Sequence, residues 1–312
     1  MTINILFSAG GDKWATYEAP LRAALTSKGL NHTLAPDAGP PERVDYIVYA
    51  PDSTLQDFAP YRNCKAVLNL WAGVEEIVGN PTLTQPLTRM VDTGLTHGMV
   101  EWVTGHVLRH HLGLDRYVGA TGGWHDLRVV PPLAKDRPLT ILGLGALGAA
   151  VAEALVGLGF PITGWSRSPK TLNNVRCLAG DDGLREALST AEILVLLLPE
   201  TPDTTNLLNA ERLSWLRPGA VVINPGRGPL IDDEALLAAL DEGQVGHATL
   251  DVFRVEPLPD DHAFWSHPRV TVTPHIASET RPGTACDIIV ENILRSENGQ
   301  PLLHLVDRSA GY

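Results

Sequence analysis

Cysteine is scarce in this sequence: three residues in 312, Cys64, Cys177 and Cys286, far apart and without a CxxC pair. That pattern argues against a disulfide framework or a cysteine zinc site and predicts free thiols in a reducing, cytoplasmic setting. Long hydrophobic runs are lacking as well. The longest, Ile193–Leu198, is far too short to cross a bilayer. The opening Met1–Ser8 has no basic stretch ahead of its apolar residues, so no signal peptide is expected there. No low-complexity tract and no internal repeat is present, which argues against extended disorder. Positive charge is in deficit: 24 Lys and Arg against 36 Asp and Glu leave a formal net charge of −12. A field of that sign repels phosphate backbones and anionic lipid, so neither a nucleic acid nor a membrane is expected as partner. Any small anionic ligand must then be met by positive charge supplied locally.

What is present is alternation. The length suits two domains rather than one core. Ile3–Phe7, Tyr46–Ala50 and Ala66–Leu70 are short apolar runs bounded by turn residues and read as strands, while Tyr17–Lys28 reads as a helix stopped by Gly29. Met99–Leu112 carries Val100, Val103, Val107, Leu108 and Leu112 at helical spacing. The stretch Gly119–Arg137, rich in Gly, Pro and charge, reads as loop. A second series of strands is expected at Leu139–Leu142, Pro161–Trp165, Ile193–Leu198, Ala220–Ile223, Ala248–Val252 and Val270–Thr273. The amphipathic Pro282–Arg295 is expected to return to the first domain. Strands separated by helices make parallel sheets, and the second series matches a doubly wound dinucleotide fold.

The segment Gly143-Leu-Gly145-Ala146-Leu147-Gly148 follows an apolar strand and opens an Ala-rich helix. Glycines at these places allow a tight turn, close approach of a pyrophosphate and close helix–sheet packing, and the helix start offers free N–H groups to the anion. The next strand ends in Trp165-Ser166-Arg167-Ser168, with no acid before Asp181. An NAD site usually has a carboxylate there for the ribose 2′-OH. Here a guanidinium and two hydroxyls suit a 2′-phosphate instead, so NADP(H) is the expected cofactor and NAD(H) a possible one. Leu198 and Pro199, beyond the following strand, complete the candidate cofactor wall.

Three further strand ends carry reactive side chains: Arg227 in Asn224-Pro-Gly-Arg-Gly228, Glu256 after the strand that ends near Asp251, and His275 in Thr273-Pro-His-Ile-Ala277. Ligands of open α/β sheets sit beyond the carboxyl ends of the strands. A histidinium held by a carboxylate suits protonation of an alkoxide, and a guanidinium suits a substrate carboxylate and a polarised carbonyl. From the residues alone, a surface ion pair for Glu256 and a capping role for His275 remain open. His106 and His110 stand at i, i+4, but no third ligand accompanies them, so no metal is expected. The pairs His110–His111 and His262/His267 read as solvated or rim histidines, and Trp124 as a residue of a pocket or an interface.

The order GLGALG, NPGRG, LDVFxxEP and PHIAS resembles the D-2-hydroxyacid dehydrogenase family. Trp165-Ser-Arg-Ser168, Glu256-Pro-Leu-Pro259, Thr280-Arg-Pro282 and Val306–Tyr312 are similar to its glyoxylate/hydroxypyruvate reductase A branch. The resemblance implies two doubly wound parallel-sheet domains. A Rossmann dinucleotide-binding domain, 97–281, is inserted in a flavodoxin-like substrate domain, 1–96 and 282–312. It implies an Arg227–Glu256–His275 triad, Asp251 near the nicotinamide carboxamide, a backbone cradle for the substrate carboxylate at Ala72-Gly73-Val74, and a homodimer formed through the nucleotide domains. The activity it implies is NADPH-dependent reduction of small 2-oxo acids such as glyoxylate and hydroxypyruvate. A cofactor-sensing binding protein on the same fold and a reductase of a bulkier 2-oxo acid are the alternatives. Two positions depart from the family's pattern: Pro225, which restricts Asn224 and removes an N–H beside Arg227, and Trp71, where a small residue is commoner.

Overall fold

Short, buried central strands of Val, Ile, Leu and Tyr dictate the architecture. A computed structural model describes residues 2–311. The chain divides into two compact units, one made of residues 1–95 with 279–312 and the other of 96–278.

In the first unit, β1 (Ile3–Ser8), β2 (His32–Ala35), β3 (Tyr46–Tyr49), β4 (Ala66–Asn69) and β5 (Leu87–Thr88) form a sheet of order β2-β1-β3-β4-β5. Every pairing is parallel. All residues of β3 and β4 are buried, as expected for a parallel sheet covered on both faces. On one face Leu21 and Leu25 of α1 (Lys13–Ser27) pack with Ile289 and Ile293 of α10 (Pro282–Glu297). On the other, Ile47, Tyr49 and Val67 pack with Phe58 and with Ile77 of α2 (Glu75–Val78). The end of α10 is tied down by Glu297, whose Oε1 accepts the Tyr46 hydroxyl at 2.6 Å and the Lys65 ammonium at 2.5 Å.

The second unit has seven parallel strands: β6 (Leu139–Leu142), β7 (Ile162–Ser166), β8 (Val175–Ala179), β9 (Ile193–Leu196), β10 (Ala220–Asn224), β11 (Val245–Leu250) and β12 (Val270–Val272). Their order is β12-β11-β10-β9-β6-β7-β8, so the direction of winding reverses between β6 and β9. Strand alternation splits the core in two. Ile193 and Val195 face a layer with Val103 and Val107 of α3 (Thr93–Leu112) and Val151 and Leu155 of α5 (Ala146–Gly157). Leu194 and Leu196 face the other layer, with Leu184 and Leu188 of α6 (Gly180–Thr190) and Leu236 and Leu240 of α8 (Asp233–Asp241). Shorter helices α4 (Trp124–Leu127), α7 (Ala210–Ser214) and α9 (Ala263–Ser266) complete the unit.

The expected strands are present, with ends displaced by a few residues, while β2, β5 and β8 had no expectation. Each of the three is an edge strand. Edge strands β2 and β8 are half-exposed, and β5 has only two residues, so none leaves a long apolar run in the sequence. The loop expected over 119–137 contains α4 and a short 3-10 turn. Among the described residues no helix is long and apolar enough to cross a membrane.

Candidate active site

The turn after β6 is shaped by what its glycines exclude. Gly143 has φ +104°, and a Cβ there would lie 2.4 Å from the Leu197 carbonyl oxygen. A Cβ on Gly148 would meet the Gly143 carbonyl at 1.8 Å. Both positions therefore demand glycine. Gly145 differs: it is the N-cap of α5, offers no side-chain cap, and has open space where a Cβ would stand. The first-turn amides of Ala146 and Leu147 thus begin a helix whose N-terminus is bare, which is the arrangement a diphosphate needs. Leu198 and Pro199 follow β9 directly beside Gly143, with the Leu197 N–H bonded to the Leu142 carbonyl at 2.7 Å. The residues present fit a dinucleotide.

At the end of β7, Trp165 is buried and its indole donates to the Gly180 carbonyl at 2.9 Å. Ser166 is buried too, its hydroxyl donating to the Ser168 carbonyl at 2.8 Å, so the turn is closed from within. Arg167 and Ser168 are exposed on its outer side.

Arg227, Glu256 and His275 belong to the loops after β10, β11 and β12, at the same edge of one sheet. His275 Nδ1 lies 2.6 Å from Glu256 Oε2. The other carboxylate oxygen accepts the Phe253 N–H at 2.8 Å. The bond from Glu256 raises the imidazole above its ordinary value, against the opposing effects of burial and of the Arg227 charge. Burial pushes the Glu256 carboxyl up, but the bonds from His275 and the Phe253 amide outweigh it and hold the group below the usual range. The Arg227 guanidinium acts electrostatically on both partners, so it belongs to the same cluster. The structure thus places Glu256 in a pair with His275, and His275 does not cap a helix.

His275 has φ +53°, a conformation that costs a non-glycine residue free energy and persists only where the surroundings enforce it. Here its N–H donates to the carbonyls of Asp251 and Thr273, at 2.8 and 3.0 Å. Asp251 is fully buried. Its carboxylate accepts the Thr273 hydroxyl at 2.5 Å and the amides of Ile276 and Ala277 at 2.9 and 2.8 Å. One buried acid therefore fixes the segment on both sides of His275. Thr273 was not among the residues singled out from the sequence, and a lone threonine at a strand end carries no signal of such a role.

Pro225 does not disrupt the turn beside Arg227. It is buried, and Asn224 closes the turn with its side chain, accepting the Gly226 N–H at 3.1 Å and donating to the Arg227 carbonyl at 2.9 Å.

In the first unit, Ala72, Gly73 and Val74 form the loop from β4 into α2. Asn69 holds that loop from below, its amide donating to the carbonyls of Trp71 and Gly73 at 3.0 and 2.9 Å. Trp71 is half-buried against the core of this unit, with Lys13 Nζ 5.9 Å from its ring centroid.

His110 and His111 depart from a solvated rim, whereas His262 and His267 are partly exposed. His111 is buried and accepts a bond from Arg137 at 3.1 Å. His110 Nε2 is 2.8 Å from the Thr249 hydroxyl, with its ring 4.9 Å from that of His247. The reason is that α3 lies with this face against the sheet. His262 caps α9 through Nδ1. Among the described residues no group of three or more His, Cys, Asp or Glu is arranged to hold a metal. Trp124 is 82% exposed.

Residues 103–277 match the family model for the NAD-binding domain of D-isomer specific 2-hydroxyacid dehydrogenases. The chain is similar to a glyoxylate/hydroxypyruvate reductase A of Serratia proteamaculans, 41% identical over 256 residues that cover 80% of this chain and 82% of that protein. A protein of the same name from Photorhabdus laumondii is 39% identical over 282 residues, covering 88% and 90%. Among solved structures, a D-isomer specific 2-hydroxyacid dehydrogenase from Xanthobacter autotrophicus, in complex with NADPH and MES, superposes with a TM-score of 0.92 at 41% identity over 100% of both chains. An NADPH-dependent glyoxylate/hydroxypyruvate reductase from Sinorhizobium meliloti, with NADP and sulfate, gives 0.82 at 34% identity over 99% of both.

Proposed function

Because the chain belongs to the D-isomer specific 2-hydroxyacid dehydrogenase family, we propose that it reduces small 2-oxo acids, glyoxylate and hydroxypyruvate foremost, with NADPH as the hydride source. The observation that carries this reading is the His275–Glu256 contact of 2.6 Å, set beside Arg227 at the carboxyl edge of the dinucleotide-binding sheet. Bound NADPH supplies the hydride that converts the C2 carbonyl into an alkoxide.

His275 holds the proton that completes the alcohol. Its Nδ1 is occupied by Glu256, so Nε2 is the atom that delivers. Glu256 keeps the imidazole charged and fixes its ring. Arg227 draws the substrate carboxylate and stabilises the negative charge that grows on the carbonyl oxygen. The backbone of Ala72, Gly73 and Val74 receives the carboxylate in the substrate domain. Arg167, with Ser168, selects the 2′-phosphate, a reading supported by relatives whose structures contain NADPH or NADP; the Ser166 hydroxyl, expected beside them, is instead buried and spent on the Ser168 carbonyl.

The enzyme acts as a homodimer in the cytoplasm. Support for the dimer comes from exposed apolar residues in one stretch of the second unit, Val118, Trp124, Val130 and Leu133. Support for a reducing compartment comes from three cysteines that are all free.

The test is loss of NADPH absorbance on adding glyoxylate or hydroxypyruvate to wild type and to His275→Gln. Wild type should turn over both acids, and the variant should bind NADPH normally while losing most of kcat, about 100-fold or more. A variant with wild-type kcat would remove His275 from the role of proton donor.

A further inference from the structure

The loop that carries Glu256 and the turn that carries Arg227 meet backbone to backbone. A Cβ placed on Gly228 would stand 1.9 Å from the Phe253 carbonyl carbon and 2.4 Å from the Arg254 nitrogen. Only the absence of a side chain at 228 lets the two segments touch. Phe253, at this contact, is also the residue whose N–H holds Glu256 Oε1 at 2.8 Å. The acid that charges His275 is therefore held by the N–H of a residue whose own carbonyl leans on the residue after Arg227.

Arg254 closes the same junction from outside. Its Nη2 donates to the Ile231 carbonyl and to Asn206 Oδ1, each at 2.6 Å, and its Nε is 3.9 Å from Asp233 Oδ2. Ile231 ends the turn begun by Arg227, since the Ile231 N–H bonds the Gly228 carbonyl at 3.2 Å. Asn206 is fixed to that turn as well, with its N–H bonded to the Pro229 carbonyl at 2.8 Å. One guanidinium thus ties the Glu256 loop to the Arg227 turn and to the Asn206 segment bonded to that turn. The short cation-to-carbonyl bonds are of the stronger, charge-assisted kind.

The geometry points to Arg254 as a positioning residue that locks Glu256, and through it His275, in register with Arg227. This inference rests on the roles assigned to those residues in the proposed reduction. Arg254 is assigned no part in the chemistry itself; its side chain meets Ile231, Asn206 and Asp233. Its effect is on geometry: loosening the loop lengthens the contact from Glu256 to His275, so the imidazole loses the partner that keeps it charged.

The experiment compares full-length wild type with Arg254→Ala, Arg254→Gln and Arg254→Lys. The readouts are kcat, the KM values for glyoxylate and NADPH, kcat as a function of pH, Tm, and the NMR titration of the His275 ring. Arg254→Ala and Arg254→Gln should lower kcat roughly tenfold, with the KM for NADPH within about twofold of wild type. The alkaline limb of kcat should move to lower pH in both. Arg254→Lys, which keeps one cationic donor for the Ile231 carbonyl, should recover part of each change. An unchanged kcat and alkaline limb, with or without a fall in Tm, would overturn the inference and make Arg254 a tie for the fold alone. If wild type fails to reduce any 2-oxo acid, the proposed function falls separately. The His275 titration still decides the positioning role in that case: a shift towards the ordinary imidazole value in Arg254→Ala supports it, and an unmoved titration refutes it.

Discussion

Glu256 reaches His275 with one carboxylate oxygen while the other is already occupied. Oε2 is 2.6 Å from the imidazole Nδ1, and Oε1 accepts the Phe253 amide at 2.8 Å. The acid is anchored to its own loop three residues back before it meets the imidazole. That division of labour makes Glu256 a fixed electrostatic partner, because neither oxygen is available to rotate towards another donor.

The pH dependence of Glu256→Gln follows from this arrangement. The native imidazole is raised above its ordinary value chiefly by Glu256, so the proton it would donate in the proposed reduction is present below that raised value and lost as pH climbs through it. The amide keeps the shape but removes the charge. The alkaline limb of the reduction rate should therefore move to lower pH, and kcat near neutrality should fall about 10- to 100-fold. A limb at the wild-type position would show that Glu256 does not govern the imidazole.

Arg227 is assigned both an anchoring and a stabilising role, and the two leave different kinetic marks. Arg227→Lys keeps a charge but loses the planar fork, so both a higher KM for the 2-oxo acid and a lower kcat are expected, together roughly 100-fold in kcat/KM. The KM for NADPH should stay near wild type. A change in KM alone would confine Arg227 to binding, and a change only in thermal stability would remove it from the chemistry.

The sequence made the central strands and the Gly143–Gly148 turn legible because both follow from local rules: buried parallel strands are continuous apolar runs, and close backbone approach admits only glycine. The edge strand β8 escaped because its residues are only half-buried, leaving Val175-Arg-Cys-Leu-Ala179 with too weak an apolar pattern. The candidate catalytic residues stand out as charged groups at strand ends. What holds them does not. Thr273 and Arg254 act through bonds to residues 22 and 48 positions away, a separation that no spacing rule registers. The positive φ of His275 is equally silent in the sequence, since it is imposed by the carbonyls of Asp251 and Thr273.

In the proposed reduction, cofactor choice falls to the exposed outer side of the turn after β7. Arg167→Ala should raise the KM for NADPH about tenfold, the scale of one lost charge-assisted bond, and leave the KM for NADH nearly unchanged. The ratio of kcat/KM values for the two cofactors is the quantity to measure. Equal losses with both would show that the guanidinium does not read the 2′-phosphate.

Acid sensitivity should originate between α3 and β11, at two histidines that take no part in the proposed chemistry. His110 is pushed down to about 3 and His247 to about 4, in each case mainly by burial. Arg109 and each ring's histidine neighbours add to the shift, and Asp115 opposes it. Both rings are held in the neutral form by the fold, with Nε2 bonded to Thr249 and Thr271 respectively, at 2.8 Å each. The unfolded chain binds a proton on each near pH 6.5, so it holds more protons than the native state below that pH. Stability is therefore complete above pH 6.5 and falls as the pH drops towards the depressed native values, by at most about 1.4 kcal/mol per pH unit for each histidine. Tm measured from pH 7 to pH 4.5 should show this slope, and His110→Asn with His247→Gln should flatten it while lowering Tm at pH 7. An unchanged slope in the double variant would place the acid-sensitive groups elsewhere.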